Sequence, residues 1–291
     1  MRVHLVDGTY ELFRHHHALP SRVADSSRTA ATRGVLRSLL DLLEGGATHV
    51  GVATDRVIES FRNDLWPGYK TGAGIAPALA AQLAPLAEAV AALGVRVWPM
   101  DDLEADDALA TAAARAAGDP RVERVLICTP DKDLAQCVRG DRVVMLDRRT
   151  GAVRDAGGVR ERFGVPPDAI PDYLALVGDA ADGLPGIPGW GARSAAALLA
   201  RYGRLDAIPP DPADWDGVRV RGAARLAAAL REGRDLALLL RRLATLREDA
   251  PGVLDGGVDG LAWRGPGPDL AEWSERLGAP DLVRRAEALA G

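Results

Sequence analysis

Met1-Arg-Val-His-Leu-Val-Asp-Gly8 opens the chain with a short apolar run that ends in an aspartate and a glycine. This pattern predicts a buried β-strand, because the run is too short for a helix and is bounded by a turn signal. Similar runs recur through the first 150 residues, and each predicts a short buried strand. The five predicted strands cover residues 3–6, 50–53, 95–98, 125–128 and 143–146.

Stretches rich in alanine and leucine separate these runs and show helical spacing. They predict helices near 33–44, 77–93 and 105–117. Strands that alternate with helices indicate an α/β fold, in which a parallel sheet carries helices on both faces. Ligands of such sheets bind outside the carboxyl ends of the strands. We therefore expect the functional residues at that edge.

The strand pattern stops near residue 157, where short helices broken by glycine and proline begin. We expect an α/β domain over residues 1–156 and a helical domain with a C-terminal tail over residues 157–291. The second part is predicted to hold helices near 158–163, 168–177, 191–202, 221–231 and 233–246. Residues 251–268 are rich in glycine and proline and are predicted to form a loop before a helical tail.

Composition excludes several classes of protein. Of the 291 residues, 47% are hydrophobic, which is enough for a packed core. No apolar run reaches the roughly 20 residues of a membrane helix, and the N-terminus lacks the pattern of a signal peptide. Two cysteines, Cys128 and Cys137, are too few for a disulfide framework. We expect a cytoplasmic protein.

Acidic residues follow the predicted strands directly. Asp7 and Asp55 each end an apolar run, and Asp131 and Asp133 follow the run that ends at Cys128. Because the carboxyl ends of parallel strands meet at one edge of a sheet, we expect these carboxylates to lie close together. A single aspartate after a strand is more often a helix cap or a turn residue, but the joint arrangement favours a site.

Two further acidic motifs complete the set. Glu104-Ala-Asp106-Asp107 opens a predicted helix, where Glu104 and Asp107 share a face and Asp106 lies on the same turn. Asp179 and Asp182 are also three residues apart. Nine clustered carboxylates repel one another unless cations neutralise them, and hard oxygen ligands suit Mg²⁺ or Mn²⁺. Two such ions can support phosphodiester hydrolysis.

A glycine-rich run, Gly186-Ile-Pro-Gly-Trp-Gly191, follows these acids and precedes an alanine-rich helix. Backbone amides at such a turn can hold a phosphate, although the run alone also fits a tight turn between helices. The net charge of −5 does not exclude nucleic acid, since nine of the 41 acidic residues fall in the predicted site and 36 basic residues remain against 32. Arginines that could contact phosphates, or simply be surface charges, are Arg193, Arg201, Arg204, Arg219, Arg221 and Arg225.

In this order, the motifs resemble those of the 5′-3′ exonuclease and flap endonuclease family, found at the N-terminus of bacterial DNA polymerase I and as stand-alone enzymes. The resemblance covers residues 1 to about 250 and is carried by Leu5-Val-Asp-Gly8, Asp55 with Ser60-Phe-Arg62, Tyr69-Lys70, Glu104-Ala-Asp-Asp107, Asp131-Lys-Asp133 and residues 178–191. It implies a PIN-like nuclease domain with a helical arch near 62–85, followed by a helix–two-turn–helix (H3TH) DNA-binding domain. It also implies the stand-alone form, because no polymerase region follows residue 291.

The resemblance further implies roles for individual residues. The tighter metal site would be built by Asp7, Glu104, Asp106, Asp131 and Asp133. The second metal would be held by Asp55, Asp107, Asp179 and Asp182. Lys70 would reach the scissile phosphate, Tyr69 would stack near the 5′ end, and Arg62 would contact phosphate. The DNA-binding hairpin would comprise Gly186, Ile187, Gly189, Gly191, Arg193 and Ser194, with K⁺ bound by its backbone oxygens.

The implied function is a structure-specific 5′ nuclease of DNA replication or repair, with two Mg²⁺ or Mn²⁺ ions. Its DNA partner would be a 5′ flap or a nicked, gapped or 5′-ended duplex, and the protein would be a monomer with a DNA polymerase acting in trans. Departures from the family pattern are Pro130, Gly183 and the uncharged segment 71–77. They leave open a DNA-junction-binding module with weakened catalysis. A PIN-type ribonuclease is a third reading, which the glycine-rich run disfavours.

Overall fold

The computed structural model describes residues 1–291, and a six-stranded sheet lies at its centre. The strands are β1 (Arg2–Asp7), β2 (His49–Asp55), β3 (Arg96–Met100), β4 (Arg124–Cys128), β5 (Val143–Asp147) and β6 (Ala152–Arg154). Their spatial order is β3-β2-β1-β4-β5-β6. The direction of winding reverses at β1, so the carboxyl ends of β2, β1 and β4 lie side by side at the middle of one edge.

The five predicted strands form a parallel sheet, and the structure adds a sixth strand that was not predicted. This strand, β6, pairs with β5 in the antiparallel direction. It was missed because it has only three residues and an exposed surface, with Val153 51% accessible. A strand of this kind leaves no apolar run in the sequence.

Helices cover both faces of the sheet, as predicted. Those of the first part are α1 (Gly8–His17), α2 (Ser21–Ala24), α3 (Ala30–Glu44), α4 (Phe61–Leu65), α5 (Pro77–Ala92) and α6 (Ala105–Gly118). The helices α1, α3 and α5 pack on one face, and the alanine-rich α6 packs on the other. In β1, Leu5 lies in the α6-side core and Val6 in the opposite core, so the strand is buried on both sides.

The segment expected to form a helical arch, near 62–85, contains most of α4, a loop and the start of α5. Residues 77–85 belong to α5, whose Leu79, Leu83 and Leu86 are buried against α1 and α3. Residues 66–76 between α4 and α5 form a loop instead. The leucine spacing that predicted a helix here reflects the packing of this helix into the core. Only the loop of residues 66–76 is then available to cover the sheet edge.

The second part is helical. It contains α7 (Ala156–Phe163), α8 (Ile170–Val177), α9 (Ala192–Tyr202), α10 (Ala223–Glu232) and α11 (Arg234–Ala244). The buried helix α8 packs against α9 and α11, and their apolar side chains join the core under α6. The helical region is thus continuous with the α6 face of the sheet.

The chain then returns to the opposite face. The backbone amide of Trp263 donates to the carbonyl of Thr48 at 2.9 Å, and its indole donates to the carbonyl of Leu93 at 2.9 Å. Two final helices, α12 (Leu270–Arg276) and α13 (Asp281–Ala290), pack on α5 and α3. The C-terminal tail, which we assigned to the helical domain of residues 157–291, therefore packs on the α/β domain. No helix combines the length and apolar character that crossing a membrane requires.

Candidate active site

Two strand ends place carboxylates at the middle of the sheet edge. Asp7 ends β1 and caps α1, with one oxygen accepting from the Tyr10 amide at 2.8 Å and the other from the Thr129 hydroxyl at 3.1 Å. Asp55 ends β2 and accepts from the amide of Ala105 at 2.7 Å. Both side chains are therefore fixed by hydrogen bonds before any ligand arrives.

The start of α6 adds two more carboxylates beside them. Glu104 is the N-cap residue, and Asp106 lies in the first turn. Asp131 follows β4 and accepts from the amide of Asp133 at 3.0 Å, which turns the loop back towards the sheet edge. These acids share one open cleft of about 370 Å³, whose charged lining is Asp7, Asp55, Lys70, Glu104, Asp106, Asp131 and Asp182.

A second group of carboxylates adjoins this cleft. Asp133, Asp179 and Asp182 each offer one oxygen atom, and these atoms lie within 4.8 Å of one another. Asp133 and Asp179 are buried, and the Oδ1 atom of Asp133 has no hydrogen-bond partner. Three carboxylates this close repel each other unless a cation lies between them. The all-oxygen donor set and the unpartnered atom fit a hard divalent ion.

The electrostatics of the cleft support the same interpretation. Burial, together with the Asp131 and Asp55 carboxylates, raises the pKa of Asp7 to about 7. Burial also raises the pKa of Asp55 to about 6. The pKa values of Asp106 and Asp133 are held well above the usual range by burial and by Asp131. Raised values of this kind mark carboxylates that lack enough positive charge.

Lys70 brings the nearest positive charge to the cleft. Its ammonium lies 2.8 Å from Glu104 and 3.1 Å from Asp182, and its backbone amide donates to the Asp182 carbonyl at 3.1 Å. Burial opposes its charge, but Glu104 and Asp182 hold the pKa of Lys70 well above its usual range. Lys70 is therefore a fixed cation at the boundary between the two groups of acids.

The loop that carries Lys70 is held by an unusually close backbone contact. Gly183 has φ +73°, and a Cβ there would lie 2.0 Å from the carbonyl oxygen of Gly68. The indole of Trp66 donates to the Gly183 carbonyl at 3.2 Å. A residue with a Cβ does not fit this position while the Gly68 carbonyl keeps its place.

The cleft also has an apolar wall that sequence reasoning missed. Tyr10 and Phe13 of α1, Ile58 after β2 and Ile75 of the loop line the same cleft as the carboxylates. Tyr10 and Phe13 lie three and six residues after Asp7, on the helix that Asp7 caps. This helical spacing was the available signal.

The glycine-rich hairpin lies between α8 and α9. Gly186 and Gly189 have φ values of +69° and +84°, and a Cβ on Gly186 would lie 2.6 Å from the backbone nitrogen of Gly178. The hydroxyl of Ser194 accepts from the amide of Gly191 at 3.1 Å. Ile187 is buried, whereas Arg193 and Arg225 are exposed beside the turn. The hairpin thus presents backbone and arginine side chains to the surface.

Comparison with known sequences places this geometry in a family. The family model "5′-3′ exonuclease, N-terminal resolvase-like domain" matches residues 2–164, and "5′-3′ exonuclease, C-terminal SAM fold" matches residues 165–268. The chain belongs to the 5′-3′ exonuclease family. The resemblance inferred from the sequence is thereby confirmed.

Curated relatives in the family are longer proteins. The chain is 38% identical over 268 residues to DNA polymerase I of Pseudomonas aeruginosa, covering 88% of this chain and 28% of that protein. It is 34% identical to DNA polymerase I of Rhizobium leguminosarum, covering 98% of this chain and 28% of the relative. The chain therefore spans little more than a quarter of the length of these relatives.

Solved structures share the fold. The T5 5′-exonuclease with bound zinc ions matches with a TM-score of 0.66 at 18% identity, covering 98% of this chain and all of that one. The catalytic core of Rad2 in complex with DNA substrate matches with a TM-score of 0.62 at 15% identity, covering 99% and 90%. At these identities the match establishes the architecture, an α/β domain followed by a helical region.

Three residue roles implied by the family resemblance conflict with the structure. Arg62 is fully buried and donates to both carboxylate oxygens of Asp107, at 2.7 and 2.8 Å, so it cannot contact a phosphate. Asp107 is also fully buried and accepts from the amide of Arg247, so it has no oxygen for a metal. Tyr69 is buried with its hydroxyl 3.3 Å from Glu104, so it cannot stack on DNA.

The carboxylates are grouped in space as follows. Asp133, expected in the tighter site with Asp7, lies close to Asp179 and Asp182, and Asp131 of the cleft also raises its pKa. Asp55 lines the cleft with Asp7 and Asp106. Eight of the nine predicted acids therefore lie in two adjoining groups, and Asp107 is the exception. Which of them bind a metal stays a prediction.

Proposed function

We propose that the chain is a structure-specific 5′ nuclease that hydrolyses DNA phosphodiester bonds, acting as a 5′-3′ exonuclease, a flap endonuclease or both. The observation that carries the proposal is the cleft itself, where five carboxylates and Lys70 converge beside the triad Asp133–Asp179–Asp182. Family membership supports the same reaction.

The first group of acids suits one Mg²⁺ or Mn²⁺ ion and the triad a second. Cations bound there supply the chemistry of water activation and stabilisation of the leaving oxygen. Asp7 and Asp55 are pre-oriented for binding by the Tyr10 and Ala105 amides. The protein residues thus position the donors, so that little reorganisation is needed when substrate phosphate arrives.

Lys70 and the apolar wall serve the substrate directly. The ammonium of Lys70 lies at the boundary of the two acid groups, where it offsets negative charge on a bound phosphate. Phe13 and Ile75, which also line the cleft, would contact the nucleoside and exclude water from the cleft. The cleft therefore offers a charged side for the phosphate and an apolar side for the base or sugar.

The hairpin and the arginines around it would bind the duplex. Backbone amides at the start of α9 and the exposed Arg193 and Arg225 suit phosphates irrespective of base sequence. We propose DNA with a 5′ flap, nick, gap or 5′ end as substrate, and K⁺ at the backbone oxygens of the hairpin. We further propose a monomer that acts in the cytoplasm in replication or repair, with a DNA polymerase in trans.

A fluorescent 5′-flap duplex tests the activity. With Mg²⁺ or Mn²⁺, the full chain should release the flap as a labelled product, whereas Asp106→Ala should not. An identical flap made of RNA serves as the second substrate. If the chain cleaves DNA no faster than Asp106→Ala does, the proposal fails; faster cleavage of RNA would favour the ribonuclease alternative.

A DNA-junction-binding module with weak catalysis is the second candidate. The loop beyond Lys70 supports it, because residues 71–77 carry no charge and the loop contacts Glu59 through the Gly72 amide at 2.9 Å. Pro130 before the Asp131 motif also removes a backbone donor. Tight flap binding in Ca²⁺ without turnover in Mg²⁺ or Mn²⁺ would select this candidate.

A further inference from the structure

The chain uses lysine at only two positions. Of its 36 basic residues, Lys70 and Lys132 are the only lysines, and all the others are arginine. Both ammonium groups lie against carboxylates of the candidate active site. Both lysines therefore lie at the acid cluster, and an ammonium group binds carboxylates differently from a guanidinium group.

Lys132 lies at the triad. It forms an ion pair with Asp179, and its ammonium is 4.0 Å from Asp133. Asp133 and Asp179 are 5% and 6% exposed, and Lys132 is the only basic side chain that pairs with either of them. The ammonium therefore supplies the positive charge that a metal ion would otherwise bring to these two carboxylates.

An ammonium can leave this position more easily than a guanidinium. It is a compact point charge on a flexible stem, whereas a guanidinium binds a carboxylate with a rigid two-pronged fork. The Lys132 side chain is 32% exposed, so its ammonium can move from Asp179 into water without crossing the core. A lysine at this position can be displaced when a cation of higher charge binds.

We propose that Lys132 is an internal counter-ion that competes with a divalent cation for the triad and so sets the metal affinity of that site. In the absence of metal, it prevents the repulsion between the buried carboxylates from opening the site. When a metal ion binds, the ammonium releases Asp179 and turns to solvent. The inference rests on the proposed function, since it requires the triad to hold a metal.

Three substitutions separate the charge of Lys132 from its shape. Lys132→Met keeps the length of the stem and removes the charge, and Lys132→Gln is a second neutral variant should the first fail to fold. Lys132→Arg keeps the charge. Arg56→Met is the matched control, because Arg56 lies next to Asp55 in the chain but pairs with the exposed Asp101 at 3.5 Å.

Mn²⁺ binding to the full chain is measured by isothermal titration calorimetry, and the melting temperature is measured in chelator and in saturating Mn²⁺. The triad, taken as the weaker Mn²⁺ site, should bind Mn²⁺ about tenfold more tightly in Lys132→Met than in wild type, because a positive charge within about 4 Å of its carboxylates is removed. The same variant should melt lower than wild type in chelator and regain the loss in Mn²⁺. Lys132→Arg should not bind more tightly than wild type, and Arg56→Met should change affinity by less than roughly twofold.

A lower melting temperature in Lys132→Met without tighter Mn²⁺ binding would make Lys132 a merely structural residue and overturn the inference, while the proposed function would stand. Tightening of similar size in Arg56→Met would also overturn it, because the effect would then be general electrostatics. If neither wild type nor variant bound Mn²⁺, the inference and the proposed function would fail together.

Discussion

Arg62 donates to both carboxylate oxygens of Asp107, at 2.7 and 2.8 Å, while its Nε donates to the carbonyl of Leu243 at 2.8 Å. The same guanidinium is 3.1 Å from Glu104, which lies in the cleft. A single buried side chain thus joins the last turn of α11 to a carboxylate of the candidate active site. This contact fixes the position of the helical region relative to the cleft.

Replacing Arg62 by methionine should destabilise the protein by about 3–5 kcal/mol, because Asp107 would become a buried charge without its partner. Urea denaturation measures the change. Arg56→Met, which removes an exposed arginine paired at 3.5 Å, should cost less than about 1 kcal/mol. Equal losses of unfolding free energy in the two variants would show that the buried Arg62 pair stabilises the protein no more than an exposed pair does.

Asp106→Asn and Asp107→Asn should have opposite effects. Asp106 is one of several close carboxylates, and burial together with Asp131 raises its pKa well above the usual range. Asn at 106 should therefore raise the melting temperature in chelator while weakening Mn²⁺ binding and flap cleavage. Asn at 107 should lower the melting temperature and leave Mn²⁺ affinity nearly unchanged. Loss of Mn²⁺ binding in Asp107→Asn would restore Asp107 as a ligand.

Gly183→Ala should displace the loop that carries Lys70, because the new Cβ would meet the Gly68 carbonyl at 2.0 Å. We expect flap cleavage to fall by at least about tenfold, since misplacement of a catalytic group by about 1 Å is costly. Gly217→Ala is the matched control, with a similar φ of +76° and no atom within 4 Å of its Cβ. If both variants lost the same activity, strain alone would explain the result.

His4 should make stability depend on pH between about 4 and 6.5. Burial, together with the charges of Arg148 and Arg2, lowers the pKa of His4 to about 4. The unfolded chain binds the proton near pH 6.5, so the neutral ring stabilises the fold above that value, and this contribution is lost as the pH falls towards 4. His4→Gln should lose less stability than wild type between pH 7 and pH 5 in parallel thermal melts. A parallel decline would assign the acid sensitivity to other groups.

Sequence patterns predicted the parts of the fold that depend on local order. The apolar runs located the five long strands, and the aspartates after β1 and β2 lie at the sheet edge as expected. Alternating strands and helices predict a parallel sheet, and the carboxyl ends of parallel strands share one edge. The convergence of Asp7, Asp55 and Asp131 could therefore be predicted. The helices of the second part likewise followed from their spacing and their glycine and proline stops.

Burial by distant segments could not be predicted in this way. Tyr69 shares a motif with Lys70, and Arg62 occurs in the motif before it, but α11 and the start of α6 enclose both side chains. Nothing near Asp107 in the sequence distinguishes it from Asp106. In the structure, however, the buried guanidinium of Arg62 binds Asp107, whereas Asp106 lines the cleft. The partner of Lys132 lies 47 residues away along the chain, beyond the reach of any local pattern.

The return of the chain to the first domain has a mechanical consequence. The helical region is anchored where it begins, by the Ala156 amide on the Gly140 carbonyl, and again where it ends, by Trp263 on Thr48 and Leu93. A module tied to one body at both ends cannot swivel about a single linker. The distance between this module and the cleft is therefore fixed. For a nuclease of the proposed kind, that distance would set how far from the bound duplex the DNA is cut.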